Sequence, residues 1–112
     1  MKNSSSTAAL EKSLREAVKG EVRFDKMSRA IYSTDGSVYQ IFPTGVVLPK
    51  NVDDVKETVR ICRESGVSIT PRGGGTSQSG QAVGSGVQID FSKYMRGIRE
   101  LDVEGKTIVV EP

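Results

Sequence analysis

VVLPKNVDDVKETVRICRESGVSITP, residues 46–71, is the stretch whose reading decides the fold. Val46-Val47-Leu48 is an unbroken apolar run closed by Pro49, which suits a strand buried on both faces. Asn51 is placed to cap a helix over 52–65, and Asp53 and Asp54 fall in its first turn, where the helix dipole favours anions. Val52, Val55, Val59 and Cys62 recur at helical spacing and predict its buried stripe. Gly66 ends the helix. Val67-Ser68-Ile69-Thr70 then alternates as a strand does, and Pro71 stops it. The 18 residues from Pro49 to Gly66 are enough for a parallel crossover, so the segment reads as a β-α-β unit.

Working outward, Leu10, Leu14, Ala17 and Val18 predict a helix over 7–19 with Gly20 as its C-cap. Met27 to Tyr32 reads as a short helical turn. Ser33-Thr34-Asp35-Gly36-Ser37 is turn chemistry, with Asp and Ser bonding nearby backbone and Gly supplying a positive φ. On the other side, Val87-Gln88-Ile89-Asp90-Phe91 alternates as a strand, and Ser92 to Arg96 reads as a helical turn. Ile98 to Val103 and Thr107 to Glu111 flank Glu104-Gly105-Lys106 and predict an antiparallel hairpin. The expected class is α+β: a small β-α-β subdomain, then the start of a mainly antiparallel one. The expected divisions are an N-terminal helix in 1–20, a first subdomain in 21–71, and a loop opening a second subdomain in 72–112. The last strand runs to the final residues, and the expectation is a truncated piece of a longer protein.

Composition narrows the function. The net charge is +2, from 16 basic and 14 acidic residues scattered along the chain. That gives no basic face for nucleic acid, and no nucleic-acid partner is expected. No apolar run is long enough for a transmembrane segment, and the polar start Met1-Lys2-Asn3-Ser4-Ser5-Ser6 lacks the core of a signal peptide, so a cytoplasmic setting is expected. Histidine is absent, which removes His general bases, Ser-His-Asp triads and His-ligated metals. The one cysteine, Cys62, can form neither an internal disulfide nor a metal cluster and reads as a core residue. No catalytic or metal-binding residue is expected in this chain.

Glycine is the exception: 6 of its 12 occurrences lie between Gly73 and Gly86. Three consecutive glycines, Gly73-Gly74-Gly75, free the backbone to gather successive N–H groups into a nest for an anion. Thr76, Ser77 and Ser79 add hydroxyls. Each hydrogen bond to a charged phosphate contributes about 1.5–3 kcal/mol net, so four or five would hold a pyrophosphate firmly. The dinucleotide fingerprint G-x-G-x-x-G fails, because the third glycine falls on Gln78. The Walker A pattern fails at Gln81 and Ala82, where Lys and Ser or Thr are required. A flexible linker and a non-catalytic phosphate- or nucleotide-binding module remain open as readings of the loop alone.

Pro71-Arg72-Gly73-Gly74-Gly75-Thr76 with Ser79-Gly80 resembles the pyrophosphate loop of the vanillyl-alcohol oxidase / p-cresol methylhydroxylase (PCMH) type of FAD-binding domain. Tyr32-Ser33-Thr34-Asp35-Gly36-Ser37-Val38-Tyr39, Pro43, Val46-Val47-Leu48-Pro49 and Thr107-Ile108-Val109-Val110-Glu111-Pro112 resemble other segments of its FAD-linked oxidase branch, which acts on glycolate, D-lactate and D-2-hydroxyglutarate. The resemblance implies an incomplete PCMH-type fold. It implies FAD bound along Arg72, Gly73, Gly74, Gly75, Thr76 and Ser77, with Ser79 and Gly80 following. It also implies that the small-molecule substrate, the rest of the FAD domain and a C-terminal substrate domain belong to the intact enzyme, so this piece alone is inactive. Some relatives attach FAD to a histidine at the position of Thr76; threonine there implies non-covalent FAD.

Overall fold

A computed structural model describes residues 4–112; residues 1–3 of the expected N-terminal segment lie outside them. The elements are α1 Ser4–Ala17, β1 Glu21–Arg23, α2 Lys26–Ile31, β2 Gly45–Leu48, α3 Val52–Glu64, β3 Ile69–Arg72, β4 Val87–Asp90, β5 Ile98–Asp102 and β6 Thr107–Val110. Four strands form one sheet in the order β1-β2-β4-β3, and β5 and β6 form a separate antiparallel hairpin. β1 runs antiparallel to β2, whereas β2, β4 and β3 are mutually parallel. The α+β class holds. Among the described residues no helix is long and apolar enough to cross a membrane.

The β-α-β unit is present, but β2 and β3 are not neighbours. β4 returns between them, with Val47 opposite Ile89 and Pro71 opposite the same Ile89 from the other side. The four-stranded sheet therefore reaches to Asp90, and the two-stranded one begins at Ile98. Pro71 lies inside β3 rather than ending it. Proline is tolerated there because β3 is an edge strand, whose outward N–H has no ladder partner to lose.

One face of the sheet is apolar. Val22, Val47 and Val87 meet Leu10, Leu14 and Val18 of the first helical segment and Ile61 and Cys62 of α3. Asn51 caps α3 through Asp54 N–H at 2.9 Å, and Gly66 takes φ +65° after its last turn, as read from the sequence. The buried stripe of α3 differs from the prediction. Asp54, Thr58, Ile61 and Cys62 point inward, while Val52 and Val59 are 43% and 39% exposed.

The cause is Asp54. Its carboxylate is buried and accepts the backbone N–H groups of Lys19, Gly20 and Lys50, each at 2.9 Å. These three donors end α1 and open the turn into α3, so one side chain ties both to β2. Pulling Asp54 inward rotates the helix and turns Val52 and Val59 out. Gly20 is not the positive-φ cap expected from its position. A Cβ there would lie 2.0 Å from the Leu48 carbonyl oxygen, so glycine is required by close approach to β2.

Glu21 on β1 makes a second tie. Its carboxylate accepts from Lys93 Nζ and the Tyr94 hydroxyl, each at 2.5 Å, and pairs with Arg23. Lys93, then Tyr94, then Arg23 hold its pKa at about 2, below the ordinary 4.5.

Two predictions follow from these ties. Replacing Asp54 by Ala strands three backbone donors and should cost about 2–4 kcal/mol in urea unfolding of the intact polypeptide; a loss under about 1 kcal/mol would show the donors rehydrate freely. Glu21 has a depressed folded-state pKa, so its contribution is complete above pH 4.5 and fades as pH falls toward 2. The stability gap between wild type and Glu21→Gln should close over that window; a gap constant with pH contradicts the pairing.

Candidate cofactor site

The glycine loop begins where β3 ends and carries the chain to β4, its parallel neighbour. It lies at the carboxyl ends of the parallel strands, the edge at which open α/β sheets bind ligands. A cleft of about 530 Å³ at the opposite edge is lined by Glu11, Phe24, Arg29, Thr44, Ser68 and Ser85, and contains none of the residues of the 72–80 loop.

The loop's glycines do three different jobs. A Cβ on Gly73 would meet nothing within 4 Å, and one on Gly74 only Thr76 Cγ2 at 3.6 Å. Those two positions are bare toward open space. Gly75 and Gly80 take φ +69° and +81°, where other residues are strained. Gly84 and Gly86 let the returning chain cross β3: a Cβ would stand 2.4 Å from Thr70 Oγ1 and 2.0 Å from the Ser68 carbonyl, respectively.

Among the described residues, the amides of Gly73, Gly74, Gly75, Thr76 and Ser77 donate to no protein group. The hydroxyls of Thr76 and Ser79 are likewise uncommitted to protein partners. Ser77 is different. Its hydroxyl donates to Gln81 Oε1 and accepts from Ser79 N–H at 3.4 Å and Gln81 N–H at 3.3 Å, making it the hub of the loop's own turn.

Arg72 turns inward. Its Nη1 donates to the Ala82 carbonyl at 3.2 Å and to Gln88 Oε1 at 3.4 Å, and the guanidinium lies over the Tyr32 ring at 5.2 Å. Beneath this bracket, the Tyr32 hydroxyl donates to Asp90 Oδ2 at 2.5 Å, and Gln88 Nε2 donates to the Tyr32 carbonyl at 2.7 Å. Burial first, and then the bond to Asp90, pushes the Tyr32 phenol well above its usual range, so it stays a donor. Asp90 also accepts from Ser92 N–H at 2.8 Å.

The segment after α2 closes the loop from the other side. Gly36 N–H donates to the Gly75 carbonyl at 2.9 Å, and Asp35 Oδ2 accepts Ala82 N–H at 3.3 Å. Gly36 supplies room rather than a positive φ: a Cβ there would lie 2.8 Å from the Thr76 carbonyl. Asp35 also accepts Ser37 N–H at 2.8 Å and the Ser37 hydroxyl, which holds its carboxyl below the usual range. Tyr39 packs its ring against Gly80.

The predicted residues 72–80 thus form one loop, with unpaired amides from Gly73 to Ser77, open space before Gly73 and Gly74, and Arg72 turned inward. Sequence reasoning missed the buried network of Tyr32, Gln88 and Asp90. The alternation of β4 marks Gln88 and Asp90 as one face but cannot say that the face is covered. The residues present suit a bound diphosphate: unpaired amides, two glycines with space before them, and free hydroxyls at their side. Among the described residues, no cluster of three or more His, Cys, Asp or Glu is placed to hold a metal.

Comparison with known proteins agrees. The chain is 34% identical over 105 residues to D-2-hydroxyglutarate dehydrogenase of Pseudomonas putida, covering 91% of this chain and 10% of that protein. It is 38% identical over 95 residues to the Escherichia coli D-2-hydroxyglutarate dehydrogenase (82% and 9%), and 36% over 99 to glycolate oxidase subunit GlcD of Bacillus subtilis (85% and 21%). The chain spans about a tenth to a fifth of the length of these curated relatives. Its fold is shared by xylooligosaccharide oxidase from Myceliophthora thermophila, with a TM-score of 0.72, 21% identity, and 93% of this chain and 22% of that one covered. It is shared too by p-cresol methylhydroxylase, with a TM-score of 0.67, 18% identity, and 89% and 21% covered. Residues 43–112, more than half the chain, match the family described as FAD binding domain, and the polypeptide belongs to that family.

Proposed function

We propose that this chain supplies the pyrophosphate-binding part of an FAD-linked dehydrogenase that oxidises a D-2-hydroxy acid of the lactate, glycolate or 2-hydroxyglutarate class. The observation that carries the reading is the run of unpaired amides from Gly73 to Ser77 behind two glycines that face open space. The names of the similar proteins, D-2-hydroxyglutarate dehydrogenase and glycolate oxidase subunit GlcD, support the substrate class.

The proposed cofactor set is Gly73, Gly74, Gly75, Thr76 and Ser77 through their amides, with Ser79 and Gly80 beside them and Arg72 at the base of the loop. FAD, when bound, supplies the acceptor for a hydride equivalent from the substrate α-carbon. The residues of this chain bind and orient its diphosphate. The chain has no histidine, and its buried carboxylates, Asp54 and Asp90, are engaged by its own backbone and hydroxyl groups. The catalytic base and the groups that grip the substrate carboxylate are therefore assigned to other parts of the intact enzyme, in the rest of the FAD domain and a substrate domain. The first subdomain is assigned through Asp90, and the hairpin β5–β6 opens the second.

Two outcomes test this reading on the intact polypeptide. Gly74→Val places a branched side chain where only Thr76 Cγ2 stands nearby, so the apo-protein should melt within about 2 °C of wild type. Its FAD affinity should fall about 10–100-fold through lost amide contacts. Unchanged flavin content would refute the loop assignment. Thr76 offers no ready nucleophile for flavin attachment, so acid precipitation should leave all the yellow chromophore in the supernatant. Flavin retained in the washed pellet would contradict non-covalent binding.

A further inference from the structure

We propose that Arg72 and Asp35 are positioning residues for FAD: they brace the glycine loop from two sides, so that its amides are arranged before the cofactor arrives. This rests on the FAD reading above and assigns Arg72 no direct contact with phosphate.

The two braces meet at Ala82, and at Gly75 the Arg72 guanidinium is joined by the backbone N–H of Gly36, next to Asp35. At Ala82, the carbonyl takes the Arg72 bond at 3.2 Å and the N–H gives the Asp35 bond at 3.3 Å. At Gly75, the carbonyl takes the Gly36 N–H at 2.9 Å, while the Arg72 guanidinium fills the space beneath; a Cβ there would lie 2.5 Å from Nη2. One planar fork thus spans the loop from its third glycine to a residue ten positions beyond Arg72. The fork is itself held. It rests on the Tyr32 ring, bonds Gln88, and both of those are fixed by further hydrogen bonds.

A glycine run has the most backbone freedom to lose on binding. Bracing it during folding removes that cost from the binding step. Without the brace, the competent loop is a fraction of the population, and apparent affinity falls by that fraction. The loss then lies in the association rate, because the complex once formed keeps all its phosphate contacts.

The test is FAD binding to the intact apo-protein, followed by flavin fluorescence in stopped flow, for Arg72→Lys and Asp35→Ala. Each should slow association about 5–50-fold and leave dissociation within about twofold. Lysine keeps the charge but lacks the fork, so it should not restore the rate. Faster dissociation with association unchanged would make Arg72 a direct phosphate ligand and overturn the proposal, as would wild-type kinetics in both variants. Loss of the fold in both would overturn it too, since a brace confined to the loop leaves the sheet and helices standing. Gly74→Val separates the two ideas. If it loses FAD while Arg72→Lys and Asp35→Ala behave as wild type, only the brace fails. If it binds FAD as wild type does, the loop assignment fails.

Discussion

Parallel strands that lie side by side cannot be joined by a tight turn, because the chain must travel from the carboxyl end of one to the amino end of the next. β3 and β4 are such a pair, and residues 73–86 make the journey without a helix. Most of what is distinctive in the chain follows from this. The loop must start at the carboxyl edge, where a ligand can be met. It must then run back over β3 so closely that Gly84 and Gly86 admit no side chain. A connection with no internal ladder leaves its amides without partners, and unpaired donors at a sheet edge are what an anion needs.

The cost of that arrangement is a loop with little to hold it, and the covered polar face of the sheet supplies the hold. Val46, Gln88 and Thr70 are cross-strand neighbours, as are Asp90 and Arg72, and so they share the face opposite α1 and α3. Gln88 is fully buried and Asp90 nearly so, yet both are satisfied by hydrogen bonds. Buried polar groups of this kind are costly when unpaired and rigid when paired. Here they fix Tyr32, which supports Arg72. The helix face of the same sheet is apolar and fixes nothing in the loop directly. Its task is to keep β2, β4 and β3 in register, and Asp54 serves it by joining the end of α1 to the start of α3.

Much of this was legible in the sequence, and the divisions fall where physics puts them. Local signals read well: the cap at Asn51, the stop at Gly66, the hairpin around Gly105 and the short helix before Tyr32 all depend on residues within a few positions of each other. The order of strands did not read, because nothing in residues 46–71 states that a later strand will enter between β2 and β3. The face of α3 was misjudged because hydrophobic spacing favours Val52 and Val59, whereas three distant backbone donors favour Asp54. The glycine loop was recognised from composition, but its glycines were given one purpose. Distinguishing bare Gly73 and Gly74 from Gly75, Gly80, Gly84 and Gly86 requires knowing what stands beside each.

The division of labour in the loop explains why an arginine stands immediately before three glycines. A cation beside a phosphate site is first read as a ligand, and a lysine would serve that purpose equally well as a point charge. The position of Arg72 argues otherwise. It is the last residue of β3, and its register with Asp90 directs its side chain to the covered face, away from the open side of Gly73 and Gly74. From there a guanidinium can bond a carbonyl and an amide oxygen while lying over an aromatic ring, which an ammonium cannot do at once. In the proposed site, side chains organise the main chain, and the unpaired amides from Gly73 to Ser77 are left for the diphosphate.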